Sequence, residues 1–303
     1  MIWKKLGRIY HPIPIDDYLL THASNPVAIN LDKDIFRIFF NGRNKDNKSS
    51  VGFVDIDIIK RKVVNICKAS IFTFGNNDSF YSHGVSIGNI YTIQDKYYIQ
   101  FMGWKIEEGK HWYGQIGRLR LNHKLDNLKL DPNNVYMALD REDPISLSYS
   151  WVMQDDGIYK MWYGSTISWV SENGEMVHVI KYATSKDGIV WQKHGIAIPY
   201  ELGVAQAFSK PTVYVDNFKV YHMFFSYRGS PLKKYRIGYA RSRDGIKWEL
   251  ELDESGIDVE KEGWDSEMIC YPFVFEHKGD VYMLYNGNEY GKTGFGLAIL
   301  EQD

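Results

Sequence analysis

Three acidic side chains hold the chemistry this chain could do: Glu267 in "WDSEMICYP", and the adjacent Glu142 and Asp143 in "REDPISLSYS". A protonated carboxyl and an ionised one make an acid–base pair able to open a polarised C–O bond. The protonated member needs a raised pKa, which a partly buried, aromatic-walled setting supplies. Trp264, Met268 and Tyr271 give Glu267 such neighbours, so Glu267 is expected as the acid. Either Glu142 or Asp143 is expected as the base. Adjacent carboxylates point in different directions, and the sequence ranks neither above the other. An Arg141 contact in a Pro144-shaped loop is the plainer account of the same residues. Asp78, in "FGNNDSF", reads equally well as a turn.

Basic and polar residues stand at related places. Arg43 and Arg228 each fall about 17 positions after a proline, Pro26 and Pro211. A guanidinium fork binds carboxylate or phosphate through two bonds, so an anionic sugar or sugar nucleotide suits them; a repeated structural ion pair would suit them too. His22 and His83 could orient a carboxylate or hold a hydroxyl or phosphate. A single such histidine usually reads as structural, but two at corresponding positions favour binding. Asn25, Lys210, Asp265 and Tyr271 complete the expected substrate contacts, and Trp104, Trp169 and Tyr227 are candidates to stack on sugar faces. The histidines and Glu267 lack metal-ligand spacing, so neither a metal nor another cofactor is expected.

These residues lie far apart in sequence, and a repeat is what could bring them together. "PVAINLDKDIFRIFFNGR", "GNIYTIQDKYYIQFMGW", "YSWVMQDDGIYKMWYGS", "PTVYVDNFKVYHMFFSYR" and "PFVFEHKGDVYMLYNGN" recur about every 61 residues. Each is an apolar run, a polar turn and an aromatic-rich run, the pattern of a β-hairpin. A third strand follows each, such as "VGFVDIDI" or "IGYARS", and "SKDGIVW" (185–191) and "SRDGIKW" (242–248) predict tight turns into a fourth. The fifth unit reaches Asp303 without a fourth strand, while "WKKLGRI" (3–9) resembles "WQKHGIA" (191–197). The expectation is therefore an all-β, five-bladed β-propeller spanning 1–303 as one domain, with the N-terminal strand closing the last blade. The residues preceding each first strand then converge on one funnel mouth: His22 and Asn25, then Ser82, His83 and Ser86, then Glu142 and Asp143, then Gln206 and Lys210, then Asp265 and Glu267.

The totals narrow the field. Of 303 residues, 44% are apolar and 15% aromatic, with 22 Tyr and 9 Trp, a balance suited to strands and sugar-binding surfaces. A net charge of −2 without basic runs argues against nucleic acid. No apolar stretch matches a signal peptide or membrane span, and Cys67 and Cys270 read as buried thiols, so a cytoplasmic protein is expected. Oligomeric state is not legible.

The chain resembles the five-bladed propeller glycosidases, glycoside hydrolase families 32, 43, 68, 117 and 130, in this architecture and in the "SxDGxxW" hairpin. It is more closely similar to a bacterial branch found among polysaccharide biosynthesis proteins, through "HASNPVAI", "HVIKYATSKDGI", "YRIGYARSRDGIKW", "GWDSEMICYPFVF" and "LYNGNEYGKTGFGLAIL". The resemblance implies a glycosidase-like, carbohydrate-active enzyme working on a glycan precursor or sugar nucleotide. It also implies an Asp on the first blade as base or nucleophile. Asn25 stands there instead, and an amide cannot exchange a proton as a carboxylate does. The alternative is thus a catalytically inactive sugar-binding propeller.

Overall fold

The computed structural model describes residues 1–131 and 135–301. The expected end of the fifth unit at Asp303 lies outside the described residues. Strands are the main element of the described residues, and among the described residues no helix is long and apolar enough to cross a membrane.

The strands pair antiparallel in sets of four. The first set is β2 (Thr21–Asp32), β3 (Ile35–Arg43), β4 (Ser49–Asp57) and β5 (Lys62–Ile66). The second is β6 (Gly84–Ile93), β7 (Lys96–Ile106), β8 (Trp112–Leu121) and β9 (Leu128–Leu130). The third is β10 (Leu147–Asp155), β11 (Ile158–Ser168), β12 (Val177–Ser185) and β13 (Gln192–Ile196). The fourth is β14 (Ala207–Val215), β15 (Tyr221–Arg228), β16 (Arg236–Ser242) and β17 (Glu249–Leu250). The last comprises β18 (Cys270–His277), β19 (Asp280–Asn286) and β20 (Phe295–Leu300), with β1 (Trp3–Tyr10) along β20 from Trp3↔Leu300 to Tyr10↔Phe295. Single parallel bridges, Ser49↔Gly84 and His178↔Ala207, join the first set to the second and the third to the fourth. The first strands β2, β6, β10, β14 and β18 touch in that order, and β18 touches β2.

Each sheet packs between neighbours on both faces, so its second strand reads as a continuous apolar run rather than an alternating one. Phe39, Phe101, Trp162, Phe225 and Leu284 are all fully buried there. Each such side chain contributes about 1.5–3 kcal/mol by leaving water. Cys67 and Cys270 are free and buried.

The two "SxDG" turns are built by their own side chains. Ser185 Oγ accepts from the Gly188 N–H, and Asp187 Oδ1 accepts from the N–H groups of Ile189 and Val190. Ser242 and Asp244 repeat this for Gly245, Ile246 and Lys247. Gly188 and Gly245 have φ of 69° and 74°, the left-handed region that glycine enters without a Cβ penalty. The carbonyls so exposed receive the neighbouring set: Arg118 reaches Gly188 O, and Lys160 and Trp162 reach Asp244 O and Gly245 O.

Every first strand breaks register at an equivalent place, and β2 also breaks it between Thr21 and Ser24 and between Asn30 and Asp32. The equivalent shifts fall between Ser24 and Val27, Ile87 and Ile90, Ser148 and Ser150, Ser209 and Thr212, and Cys270 and Phe273. A bulge adds a residue, bends the strand and re-aims a side chain. The bulged positions begin at Asn25, Gly88, Tyr149, Lys210 and Tyr271. Asn25, Lys210 and Tyr271 carry φ of 54°, 51° and 54°, a conformation uncommon outside glycine and held here by the surrounding sheet.

Candidate functional site

The bulges floor a cavity of about 500 Å³, within the range that holds small ligands. Asn25, Tyr149 and Tyr271 face it from three of them. The Asn25 N–H donates to Asn286 Oδ1, and its Nδ2 donates to Asn41 Oδ1 at 3.2 Å. Asn41 also accepts from the Ile87 N–H and donates to the Val85 carbonyl, so its oxygen is fixed toward Asn25. The Asn25 Oδ1 is left buried without a partner. An orphaned buried acceptor in a cavity wall suits a ligand hydroxyl. Tyr149 and Tyr271 lie with ring centroids 5.6 Å apart, and burial raises both phenols, so both stay protonated donors at neutral pH.

The walls come from the strand ends and loops that follow the second strands. Arg43 ends β3 and Arg228 ends β15. Arg228 Nε lies 2.8 Å from Glu175 Oε2, and its Nη2 donates to Oε1 at 3.0 Å. Glu175 is 2% exposed, accepts from the Met176 N–H, and comes from the loop joining β11 to β12. Arg43 donates to Asn47 and has no carboxylate partner among the described residues. Trp104, Trp112, Trp169, Tyr235 and Tyr290 supply aromatic faces, with His111 stacked on Trp169 at 4.9 Å. The lining thus holds two guanidiniums and a single carboxylate within aromatic walls, an arrangement suited to an anionic, hydroxyl-bearing ligand.

His178 and Ser148 also line it. Ser148 Oγ lies 2.6 Å from His178 Nε2, and Thr166 Oγ1 lies 2.7 Å from Nδ1. Gly164 leaves room for this contact, since a Cβ there would stand 2.0 Å from Ser148 Oγ. Burial holds the imidazole down at about 4, and no carboxylate is bonded to it. It is a neutral hydrogen-bonding element, not a serine activator, because nothing near it would stabilise an imidazolium.

The residues expected at the funnel mouth divide. Asn25, Ser86, Arg43, Arg228 and Tyr271 line the cavity, as do Trp104 and Trp169. Glu267 does not. Its side chain is exposed, while its N–H donates to Asn288 and its carbonyl accepts from Arg236. Glu142 is also exposed, and only its backbone is engaged, by Asp140 and Lys181. Asp143 is fully buried between Lys181 at 2.8 Å and Lys193 at 2.5 Å, with Ser165 and Tyr163 donating as well. Burial would raise its carboxyl, but these donors outweigh burial and hold it below the ordinary value. Asp143 is an internal clamp of the third set, outside the cavity lining.

Asp265, likewise buried, accepts from Lys5 at 2.9 Å and from Tyr285, and so ties β1 to the last set. His22 and His83 stand off the lining, half-buried. Burial first, then the charges of Arg43 and Lys292, push His22 down to about 4; burial and Lys48 and Lys105 lower His83. Lys210 Nζ donates to the Gly88 carbonyl at 3.3 Å, and burial lowers the amine to about 7. Gln206 anchors the loop that carries Glu175 through Ser171 and Asn173. Tyr227 and Asp78 lie outside the lining.

Glu175, His111, Trp112 and Tyr290 escape a reading confined to residues that precede the first strands. The signal for them is present in Arg43 and Arg228, which end second strands. The equivalent ends of β7, β11 and β19 lead into the segments that carry His111 and Trp112, Glu175, and Tyr290.

No family model matches the chain. It is 41% identical over 303 residues to the Mycobacterium tuberculosis proteins described as uncharacterized proteins MT1551 (strain CDC 1551 / Oshkosh) and Rv1502 (strain ATCC 25618 / H37Rv), covering 99% of this chain and 100% of each. Among solved structures it is similar to the RGII complex of BT0996 at TM-score 0.78 and 14% identity, over 99% of this chain and 93% of that one. It is similar to the Listeria innocua β-1,2-mannobiose phosphorylase bound to β-1,2-mannobiose at TM-score 0.74 and 12% identity, over 99% and 97%. A GH130 mannoside phosphorylase-family structure described as targeting β-1,2 mannosidic linkages matches at TM-score 0.69 and 13% identity, over 99% and 93%. The chain shares its fold with these glycoside hydrolase and phosphorylase structures, and by its full-length identity it belongs to the family of the mycobacterial proteins Rv1502 and MT1551.

Proposed function

We propose that residues 1–303 form one five-bladed β-propeller whose cavity binds a phosphate-linked sugar, such as a sugar nucleotide or glycan precursor, and cleaves or transfers its glycosyl bond. The pairing of strands in fours and the return of β18 to β2 support the blade count. One observation carries the chemistry: Arg43 without a carboxylate partner lines the same cavity as one carboxylate, Glu175. Cleaving an alkyl glycoside ordinarily uses two carboxyls, one of them to protonate the leaving alkoxide. A phosphate leaves without that help when a guanidinium offsets its charge. A single ionised carboxylate then suffices, taking the proton from the attacking water or hydroxyl as the new C–O bond forms. Glu175 is assigned this role, with Arg43 and Arg228 on the phosphate, Tyr149 and Tyr271 donating to sugar hydroxyls, and Asn25 Oδ1 accepting from one. The likeness to proteins described as acting on mannosides supports a sugar in the cavity.

Replacing Glu175 by Gln is expected to lower turnover at least about 100-fold while nucleotide-sugar binding persists, as scored by mass spectrometry and calorimetry. Undiminished turnover in the variant would remove Glu175 from the chemistry. A second reading, a sugar-binding protein without turnover, is favoured by Asn25 and by the bonds already holding Glu175. It is established if wild type and variant both bind and neither forms product.

A further inference from the structure

Val170, Leu202, Val204 and Leu232 are 66%, 46%, 43% and 95% exposed. They sit on three loops, two of which line the cavity through Val170 and Pro231, and the loops touch. A Cβ on Gly229 would fall 2.4 Å from the Val204 carbonyl oxygen, and one on Gly174 would fall 3.8 Å from Pro231 Cγ. Asn173 Nδ2 donates to the Gly229 carbonyl and to Gln206 Oε1, which also accepts from the Gly203 N–H. Gln206 is fully buried. Four aliphatic side chains are therefore held in water by a fixed polar network.

Single exposed aliphatics are ordinary, but a preorganised group at the lip of a cavity marks a binding surface. Val170 and Pro231 are exposed and also line the cavity, and Leu232 follows Pro231 directly, so apolar residues extend from the aromatic walls to the exposed loop. Exposed Lys233 and Lys234 follow Leu232, placing cations beside the apolar tip as in side chains that work at a lipid–water boundary.

We propose that the substrate is an amphiphilic saccharide, with its sugar in the cavity and its hydrocarbon chain lying across Val170, Pro231 and Leu232. The inference rests on the cavity binding a sugar. It selects a narrow chain as occupant because Val170 and Pro231 line the small-ligand cavity itself and Leu232 stands next to Pro231 in the chain.

The test measures calorimetric affinities of methyl, octyl and dodecyl β-D-mannosides and β-D-glucosides, below their micelle concentrations, for the full chain and for Leu232→Asp. Octyl tetraethylene glycol serves as a chain without a sugar. A fully buried methylene is worth about fourfold in affinity, so a chain partly covered by the rim should bind at least about tenfold tighter as octyl than as methyl glycoside. In Leu232→Asp that gain should fall below about threefold at an unchanged melting temperature, since Leu232 is exposed. Methyl and octyl glycosides of equal affinity in the wild type would overturn the inference while leaving the sugar cavity standing. Chain binding that ignores the head group would overturn both. A dimer that dissociates in Leu232→Asp would assign the patch to a second copy and overturn the inference as well.

Discussion

His178 shows how a residue that could do chemistry is committed to structure. Its two nitrogens meet Ser148 and Thr166, it is 2% exposed, and burial holds its pKa at about 4. The unfolded chain binds that proton near 6.5, so between about 6.5 and 4 unfolding takes up a proton that the fold refuses. The resulting stability is complete above about 6.5 and is lost as pH falls through about 4, with a magnitude on the order of 3 kcal/mol. His22, lowered the same way, titrates in the same window. Thermal unfolding from pH 7 to pH 4 should therefore show a steep loss of stability that flattens in His178→Gln. An unchanged slope would show that the imidazole is not held neutral by the fold. At this scale the sequence is partly legible. Arg43, Arg228, Asn25 and Tyr271 can be found because the repeat spacing sets them at equivalent places. The repeat leads only to Glu175's loop and not to Glu175 itself, since the loops between second and third strands differ in length and composition from one repeat to the next. Glu267 and Glu142 look right by type and position, yet the turn of the chain directs their side chains to solvent.

Between strands, the recurring device is a cation that leaves its own sheet to meet a turn of the next. Arg37 on β3 binds Asp55 through two bonds of 2.7 and 2.8 Å and donates to the Leu125 carbonyl at 2.8 Å. Arg118 on β8 pairs with Asp131 and reaches Gly188, and Lys160 on β11 pairs with Asp155 and reaches Asp244. Arg37 and Asp55 are nearly buried, so removing one partner strands the other charge without water. Arg37→Met should cost about 3–5 kcal/mol, read as a lowered denaturant midpoint, and Arg37→Met with Asp55→Leu should recover much of it. A loss below about 1 kcal/mol in the single variant would place the pair among solvent-screened bridges. The hairpins and "SxDG" turns are legible because apolar runs, Asp and Gly state their local conformation directly. The bulges are not, because a register shift depends on the facing strand and leaves no fixed residue type behind: Asn25, Gly88, Tyr149, Lys210 and Tyr271 share only the position.

Over the whole molecule, β1 lies along β20, and Lys5 with Asp265 locks that joint. A repeat missing one strand and a displaced segment resembling it make this pairing legible in the sequence. The cavity is legible only as a direction, since its walls come from loops whose lengths differ between repeats. Because the bulged strand heads and these loops converge on one space, the molecule brings Asn25, Arg43, Tyr149, Glu175, Arg228 and Tyr271 to one cavity from widely separated places in the chain. The most direct test is a crystal structure of the protein with the nucleotide sugar that binds it best. A sugar resting against Tyr149 and Tyr271, with phosphate oxygens within hydrogen-bond reach of Arg43 and Glu175 near the anomeric carbon, is the predicted result. A ligand bound outside the cavity, or phosphate placed away from both Arg43 and Arg228, would contradict it.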